Sequence, residues 1–124
     1  MKLLLDTHAL IWFLAGDARM SDGARVAIES AERVYVSSAT IWEIAMKVAR
    51  GRLTVPRDLT DRLLGLGMLP MAIEWEHARV AAGLPTHHQD PFDRVLVAQA
   101  IVERLTIVTR DQDIARYPVP IVAA

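Results

Sequence analysis

Cysteine is absent from the 124-residue sequence. Disulfide bonds and thiolate metal sites are therefore excluded, and any metal ion must be held by oxygen or imidazole. Long apolar runs are also missing, because the uncharged apolar segments fall well below the ~20 residues that a membrane-spanning helix needs. Asp6 interrupts the opening apolar run before the core of a signal peptide can form. We therefore expect a cytoplasmic protein without a membrane span.

A strong net charge is missing as well, since 14 basic residues stand against 15 acidic ones and give a formal charge of -1. This balance argues against a protein that coats nucleic acid with its whole surface, although a local basic patch still permits contact. The 52% of hydrophobic and 23% of charged residues are typical of a globular protein. The length predicts one domain, residues 1–124, and the apolar surplus predicts an interface.

Apolar segments alternate with helical patterns along the chain. Strands are predicted at residues 2–5, 34–36, 68–73, 105–108 and 119–122, and helices at 7–15, 21–32, 38 to about 50, 58–66, 74–82 and 90–104. This alternation indicates parallel βαβ units, hence an α/β protein with a three-layer α/β/α sandwich and a central parallel sheet of four to five strands. On the helix at 74–82, we expect Trp75, Ala78 and Ala82 to face the core.

The clearest helix start lies at residues 90–93. Asp90 suits the N-cap, Pro91 suits the first helical position, and Asp93 falls in the first turn, where the helix dipole favours an anion. The helix that follows is apolar on nearly all sides, which predicts that it is buried. A carboxylate is therefore expected at the N-terminus of a core helix. Helix capping alone explains Asp90 and Asp93 as well as a functional role does.

Four acidic residues occupy equivalent places in the predicted fold. Asp6 and Asp111 each follow a strand, while Glu43 and Asp93 each lie near the start of a helix. Strand carboxyl ends and the following helix starts share one edge of an open parallel sheet, so all four are expected to point into one crevice. Taken singly, each has a structural explanation in helix capping, and Glu43 also fits a capping box with Thr40 or an i,i+4 pair with Lys47.

Four like charges in one crevice repel one another, and such a group usually persists only when a cation neutralises it. Carboxylate oxygens without cysteine favour Mg²⁺ or Mn²⁺ as that cation. An octahedral ion that keeps several waters both activates a water and stabilises charge on a phosphate oxygen. The acidic group therefore points to phosphodiester hydrolysis.

The residues also carry a family resemblance. Four segments, spread over almost the whole chain in the expected order, resemble a PIN-domain ribonuclease of the VapC type, the toxin of a bacterial toxin-antitoxin pair: LLLDTHALIW, SSATIWEIAMKVARGRL, HHQDPFDRVLVAQA and LTIVTRD. The resemblance implies a Mg²⁺-dependent endoribonuclease that acts on RNA, with Mn²⁺ as a substitute, a homodimer, and inhibition by a cognate antitoxin encoded alongside. It maps the catalytic and metal-binding acids onto Asp6, Glu43, Asp93 and Asp111.

Within this group we assign Asp6 and Asp93 as the main metal ligands, with Glu43 and Asp111 completing the shell or orienting the attacking water. Thr7 and Thr109 are nearby hydroxyls. Asp90 suits a cap but is close enough in sequence to reach the ion through water. The main rival interpretation is a PIN-like protein that binds RNA or a protein partner without cleaving it. A haloacid-dehalogenase-type phosphatase is rejected, because its second Asp is replaced by His8.

Other residues are weaker candidates. A catalytic role is less favoured than a solvated one for the loop histidines His87 and His88. Candidate phosphate contacts are Lys47, Arg50, Arg52, Arg94 and Arg110, each of which equally suits an ion pair or a solvated charge. Core or interface positions are favoured over base stacking for Trp12, Trp42 and Trp75. An antitoxin groove is expected around Trp42, Ile44, Leu63 and Leu64.

Overall fold

A five-stranded parallel sheet forms the centre of the protein in a computed structural model, which describes residues 1–87 and 89–124. The strands are β1 (Lys2–Leu5), β2 (Arg33–Ser37), β3 (Leu69–Met71), β4 (Thr106–Thr109) and β5 (Ile121–Ala123). They lie side by side in the order β3-β2-β1-β4-β5. Since β1 is central, its Leu4 lies opposite Tyr35 of β2 and Ile107 of β4.

Six α-helices connect these strands within the described part of the chain: α1 (Thr7–Ala15), α2 (Asp22–Ser30), α3 (Ser38–Ala49), α4 (Leu59–Gly65), α5 (Trp75–Gly83) and α6 (Pro91–Glu103). A short 3-10 helix (Ile114–Arg116) precedes β5. Among these helices, none combines the length and the apolar character that crossing a lipid bilayer requires. Both α1 and α3 begin directly after a strand, which places their first turns at the carboxyl edge of the sheet.

Helices cover both faces of the sheet. Successive residues of a strand point to opposite faces, so neighbouring residues of β1 pack against different helices. Leu3 and Leu5 pack in one core with residues of α1, α2, α3 and α4, whereas Leu4 packs in the other core with residues of α6. All three leucines are fully buried. The predicted three-layer α/β/α sandwich with a parallel sheet is confirmed.

The edge strand β3 is only three residues long and contains proline at its middle position, where Pro70 lies opposite Val36 of β2. Proline has no backbone N–H and is tolerated in a sheet chiefly at its edges. The other edge strand, β5, is equally short and follows Pro120, whose carbonyl oxygen accepts a hydrogen bond from Ile107.

The start of α3 differs from the prediction. Ser37, at the end of β2, is the N-cap, and its side chain accepts a hydrogen bond from the backbone N–H of Ala39. The capping box between Thr40 and Glu43 considered from the sequence is therefore wrong, because the strand passes directly into the helix and Thr40 already lies in the first helical turn. Glu43 consequently lies in the second turn of α3.

The buried face of α5 also differs from the prediction. Trp75 is 85% exposed, and Ala78 and Ala82 are exposed too, whereas His77 and Ala81 are buried. The Nδ1 atom of His77 accepts a hydrogen bond from the backbone N–H of Glu74 at 2.9 Å, so its proton lies on Nε2, 3.0 Å from a Glu103 oxygen on α6. Both ring nitrogens of His77 therefore have hydrogen-bond partners, so the ring can be buried. Trp75, Ala78 and Ala82 lie on the exposed side of the helix.

Apolar side chains remain exposed along α3 and α4. Trp42 is 60% exposed and Leu64 57%, whereas Ile44 and Leu63 are buried in the core. Ile44 nevertheless lines a surface cleft beside α4, and Leu63 lines another cleft together with Leu64. The groove expected around these four residues therefore stays a prediction, and part of the predicted apolar surplus is exposed on these two helices.

The guanidinium group of Arg94 ties α6 to the end of α5 and the loop that follows. It donates hydrogen bonds to the carbonyl oxygens of Ala81 at 2.8 Å, Leu84 at 3.0 Å and Pro85 at 3.0 Å. Helix ends leave carbonyl groups without intrahelical donors, so a multidentate cation is well suited to this position. Arg94 therefore has a structural role in place of the phosphate contact predicted for it.

Replacing Arg94 with methionine is expected to lower the free energy of unfolding by about 1.5–3 kcal/mol, because hydrogen bonds from a charged donor are lost together with their carbonyl partners. Urea unfolding monitored by circular dichroism measures the loss. The matched control is Arg79→Met on the exposed side of α5, for which we expect a change within about 0.5 kcal/mol. Equal stability of the two variants would contradict the structural role of Arg94.

Candidate active site

A cavity of about 440 Å³ opens at the carboxyl edge of the sheet. All four acids predicted from the sequence line it, together with Asp90. Its lining residues are Asp6, Thr7, His8, Trp12, Glu43, Lys47, Asp90, Asp93, Arg110 and Asp111. The sequence positions just after β1 and β4 and near the starts of α3 and α6 thus meet in one place, as the topology of a parallel sheet requires.

Asp6 is buried where β1 ends and α1 begins, with 6% of its surface exposed. One carboxylate oxygen accepts the backbone N–H of Ala9 at 2.8 Å, and the other accepts the Thr109 hydroxyl at 2.5 Å. Burial raises the pKa of Asp6, and the nearby charge of Asp111 acts in the same direction, against the hydrogen bonds from Thr109 and Ala9 and the charge of His8. Its ionised form therefore lies in a place that favours a nearby cation.

Glu43 is held from two sides. The Thr7 hydroxyl donates to its Oε1 atom at 2.5 Å, and the Lys47 ammonium lies 3.3 Å from its Oε2 atom. Only 15% of the Glu43 side chain is exposed. The i,i+4 pair with Lys47 considered from the sequence is thus present, but it forms part of the cavity wall.

Asp111 and Asp90 both accept backbone N–H groups near a helix start while lining the cavity. Asp111 Oδ1 accepts the backbone N–H groups of Asp113 at 2.7 Å and Ile114 at 3.2 Å, at the start of the 3-10 helix. Asp90 Oδ1 accepts the N–H groups of Phe92 at 2.8 Å and Asp93 at 3.3 Å, which confirms the predicted N-cap of α6. Capping and membership of the acidic group are therefore compatible in this fold.

Thr109 links two of the acids. While its hydroxyl donates to Asp6, the same oxygen accepts the backbone N–H of Asp111 at 3.0 Å. The last residue of β4 thus fixes the spacing between the carboxylate that follows β1 and the one that follows β4. Thr7 and Thr109, expected only as neighbouring hydroxyls, orient Glu43 and Asp6 respectively.

Two of the five basic residues proposed as phosphate contacts line the cavity, namely Lys47 and Arg110. The Arg110 guanidinium donates to the carbonyl oxygens of Ala124 and Arg19 and lies over the Trp12 ring, 4.7 Å from its centroid. Arg50 and Arg52 are exposed outside the cavity wall. Of the two basic residues that line the cavity, Lys47 is the one with a described ion pair to an acid of the cavity, Glu43.

The histidines and tryptophans divide between the cavity and the outer surface. His87 packs edge-on against Tyr117 outside the cavity wall, with ring centroids 5.1 Å apart, and His88 lies outside the described residues. The sequence interpretation missed His8, which lines the cavity beside Trp12. The signal for it was available, because His8 and Trp12 are four positions apart on α1 and follow Asp6 directly.

The two other tryptophans lie at the surface. Core or interface positions were favoured for them, but Trp42 is 60% and Trp75 85% exposed, which excludes the core. Trp42 contacts the ring of Phe92 edge-on, with centroids 5.1 Å apart, at the start of α6. Both remain available for an interface.

The donor set of the cavity fits a hard divalent cation. Five carboxylates supply oxygen ligands, which Mg²⁺ and Mn²⁺ prefer. Within residues 1–87 and 89–124, no three carboxylate or imidazole groups lie close enough together to form a complete ligand cluster. An ion that keeps several waters and takes only one or two carboxylates directly is compatible with this spacing.

The parallel sandwich and the carboxylate-lined crevice define an α/β domain that places an acidic site at the carboxyl edge of its sheet. Residues 3–120 match the family model of the PIN domain. The chain is 30% identical to Ribonuclease VapC22 of Mycobacterium tuberculosis over 129 positions, which cover 96% of this chain and 95% of that protein. The chain therefore belongs to the PIN domain family.

Solved structures share the fold at lower identity. FitAcB from Neisseria gonorrhoeae is 24% identical with a TM-score of 0.68, covering 98% of this chain and 96% of that one. A toxin-antitoxin complex from Klebsiella pneumoniae is 22% identical with a TM-score of 0.70 and the same coverage. VapBC2 from Rickettsia felis, bound to a promoter DNA fragment, is 16% identical with a TM-score of 0.71, covering 98% of each chain. The resemblance to VapC-type PIN proteins is confirmed.

Replacing Asp6 with asparagine is expected to raise the melting temperature at pH 7. A raised pKa means that the folded state binds the proton more tightly, so ionisation of Asp6 costs stability as the pH rises from its ordinary pKa of 3.8 through the folded value. The gain from Asp6→Asn should disappear below pH 3.8, where the wild-type carboxyl group is protonated in both states.

Thermal unfolding at pH 7 and below pH 3.8 tests this prediction. Asp17→Asn is a control of opposite sign, because hydrogen bonds from Arg19 lower the pKa of Asp17 to about 2. Asp17 therefore stabilises the fold above its ordinary pKa, and its replacement should give no gain at pH 7. A lower melting temperature for Asp6→Asn at pH 7 would show that burial does not dominate.

Proposed function

We propose that the protein is a Mg²⁺-dependent endoribonuclease that hydrolyses RNA phosphodiester bonds and acts as the toxin of a toxin-antitoxin pair. Mn²⁺ is expected to substitute, and residues 1–124 are expected to act as one nuclease domain. The observation that carries the proposal is that Asp6, Glu43, Asp93 and Asp111 all line one cavity. Its support is the PIN family membership and the similarity to a protein named as a ribonuclease.

In this proposal Asp6 and Asp93 hold the ion, and Glu43 and Asp111 complete its shell or orient the attacking water. When bound, the ion supplies an activated water and stabilises the charge that develops on a phosphate oxygen. The protein's part is to keep the acids in place. Thr109 orients Asp6, and Thr7 orients Glu43, so that neither carboxylate must reorganise fully when the ion enters.

Hydrogen bonds from backbone N–H groups orient Asp111 and Asp90. Asp111 Oδ1 accepts two backbone N–H groups, which hold this carboxylate in the cavity wall. Asp90 uses one oxygen in the same way at the start of α6. We therefore place Asp90 in the outer shell, where it reaches the ion through water.

A second candidate function is an RNA- or protein-binding PIN-like module without cleavage activity. The spacing of the acids favours it, since no three carboxylate or imidazole groups of the described chain form a metal-binding cluster. The two candidates differ in one measurable respect, because only the nuclease requires a divalent ion to cut RNA.

We further propose that the exposed apolar surface of α3 and α4 binds the antitoxin. A cleft of about 220 Å³ between α1, α3 and α4 is lined by apolar residues that include Ile11, Val55 and Leu59. Trp42 and Leu64 are exposed on the same two helices. Similar structures include a toxin-antitoxin complex and a VapBC2 assembly, which supports a protein partner. A homodimer is proposed from the family resemblance.

The nuclease proposal predicts that purified protein cuts RNA with Mg²⁺, that a chelator abolishes cutting, and that added Mg²⁺ restores it. Asp6→Asn and Asp93→Asn should each reduce the cleavage rate by about a hundredfold or more, because an ion held wrongly forfeits several kcal/mol of transition-state stabilisation. Asp61→Asn, on the exposed side of α4, is the charge-matched control.

Sequencing the cut ends of cellular RNA after brief induction, in comparison with Asp6→Asn, identifies the substrate in the same experiment. Cleavage that is indifferent to the chelator would remove the metal mechanism. A folded wild-type protein that binds RNA but leaves it intact in Mg²⁺ and in Mn²⁺ would favour the non-cleaving alternative.

The partner proposal predicts that Trp42→Asp combined with Leu64→Asp weakens binding to the antitoxin encoded beside this protein by about a hundredfold. Each apolar side chain buried in an interface contributes roughly 1.5–3 kcal/mol. Co-purification and titration calorimetry of the co-expressed pair measure the loss. Val26→Asp, at a 61% exposed position on α2, is the control. Unchanged complex formation by the double variant would refute this surface.

A further inference from the structure

Lys47 occupies an unusual place for one half of a helical i,i+4 pair. Its ammonium lies 3.3 Å from Glu43 Oε2 in the wall of the acidic cavity, with 37% of the Lys47 side chain exposed. Exposed pairs of this spacing typically contribute only a few tenths of a kcal/mol. Here the Glu43 side chain is largely buried, so the pair neutralises a carboxylate that has little contact with water.

The local charge balance gives this pair a further consequence. Five carboxylates line the cavity, whereas its lysine and arginine residues are Lys47 and Arg110. The Arg110 donors described above are directed at the carbonyl oxygens of Ala124 and Arg19. Lys47 has three ammonium donors and one described acceptor, Glu43. It is therefore the cation best placed to change partners.

Glu43 and Lys47 would both respond to a divalent ion bound among these acids. The carboxylate would be attracted and the ammonium repelled, and both effects are strong at the low effective dielectric of a protein cleft. The Thr7 hydroxyl holds the other oxygen of Glu43 at 2.5 Å and keeps the carboxylate in place when Lys47 leaves. The released ammonium then faces the same cavity into which an RNA phosphate must bring its negative charge.

We propose that Lys47 exchanges partners during the reaction cycle: it pairs with Glu43 in the free protein and contacts an RNA phosphate oxygen once the divalent ion takes Glu43. Lysine is a common point-charge ligand for phosphate. Lys47 is thus a substrate-positioning residue, and it also lowers the affinity of the free protein for the ion. This inference rests on the proposed metal-dependent nuclease function.

The chain offers a direct test, because Lys2 and Lys47 are its two lysines. Lys2 is exposed at the start of β1, at the opposite edge of the sheet from the cavity. Reductive ¹³C-methylation keeps the lysine charge and gives each side chain its own NMR signal, assigned with Lys2→Arg and Lys47→Arg. The Lys47 signal should shift in proportion to metal saturation when MgCl₂ is added, and shift again with a 2′-O-methyl RNA oligonucleotide, while the Lys2 signal stays in place.

Substitution supplies a second measurement. Lys47→Met should bind Mn²⁺ at least about tenfold more tightly in calorimetry, because a unit charge several ångströms from a divalent ion has an effect of this size even at the dielectric of bulk water, about 80. The same variant should raise KM for RNA about tenfold and change kcat less, since the lost contact positions the phosphate. Lys47→Arg should restore KM, and Lys2→Met should change neither quantity.

The outcomes separate this inference from the proposed function. Wild-type protein that cuts RNA with Mg²⁺, while the Lys47 signal ignores the ion and Lys47→Met leaves metal affinity and KM unchanged, overturns the partner exchange and leaves the nuclease function standing. Wild-type protein without metal-dependent cleavage overturns the nuclease function and the inference that rests on it. A Lys47→Met variant that fails to fold leaves the NMR titration of the wild-type chain to decide.

Discussion

The buried carboxylate of Asp6 is the constraint on which the rest of the structure depends. β1 is apolar on both faces because it is the central strand, so the residue that follows it is still deep inside the protein. A charged group at this depth requires strong hydrogen-bond donors, and the Ala9 N–H and the Thr109 hydroxyl provide them. One side chain therefore joins β1, the start of α1 and the end of β4.

Backbone hydrogen bonds also position two other acids of the cavity. Asp90 and Asp111 each use backbone N–H groups at a helix start to fix their own orientation. Helix N-termini carry a partial positive charge, so the start of α6 also lessens the repulsion among the converging carboxylates. Glu43 is different, because it lies one turn inside its helix and depends on side chains for its position. Three of the five cavity acids, Asp6, Asp90 and Asp111, are therefore held by backbone N–H groups, whereas Glu43 is held by the side chains of Thr7 and Lys47.

The fold and the meeting of the acids were accessible from the sequence, because strand periodicity and the topology of parallel sheets are local rules with long-range consequences. The sequence predictions failed where the position of a side chain depends on a partner that is distant in the sequence. His77 is buried because Glu103, 26 residues away, accepts a hydrogen bond from its ring, and no local pattern shows this. Arg94 donates to backbone carbonyl oxygens, and every residue has such an oxygen, so the amino-acid sequence does not reveal these partners. The roles of the four acids remain a proposal, since geometry alone does not assign ligands.

The proline in β3 has a consequence for how this protein associates. An exposed strand edge is a template for pairing with another chain, which leads to fibrils or domain swapping. Here Pro70 interrupts one edge of the sheet and Pro120 precedes the strand at the other, and each edge strand is only three residues long. Open-ended polymerisation by backbone pairing is thus disfavoured at both edges of the sheet.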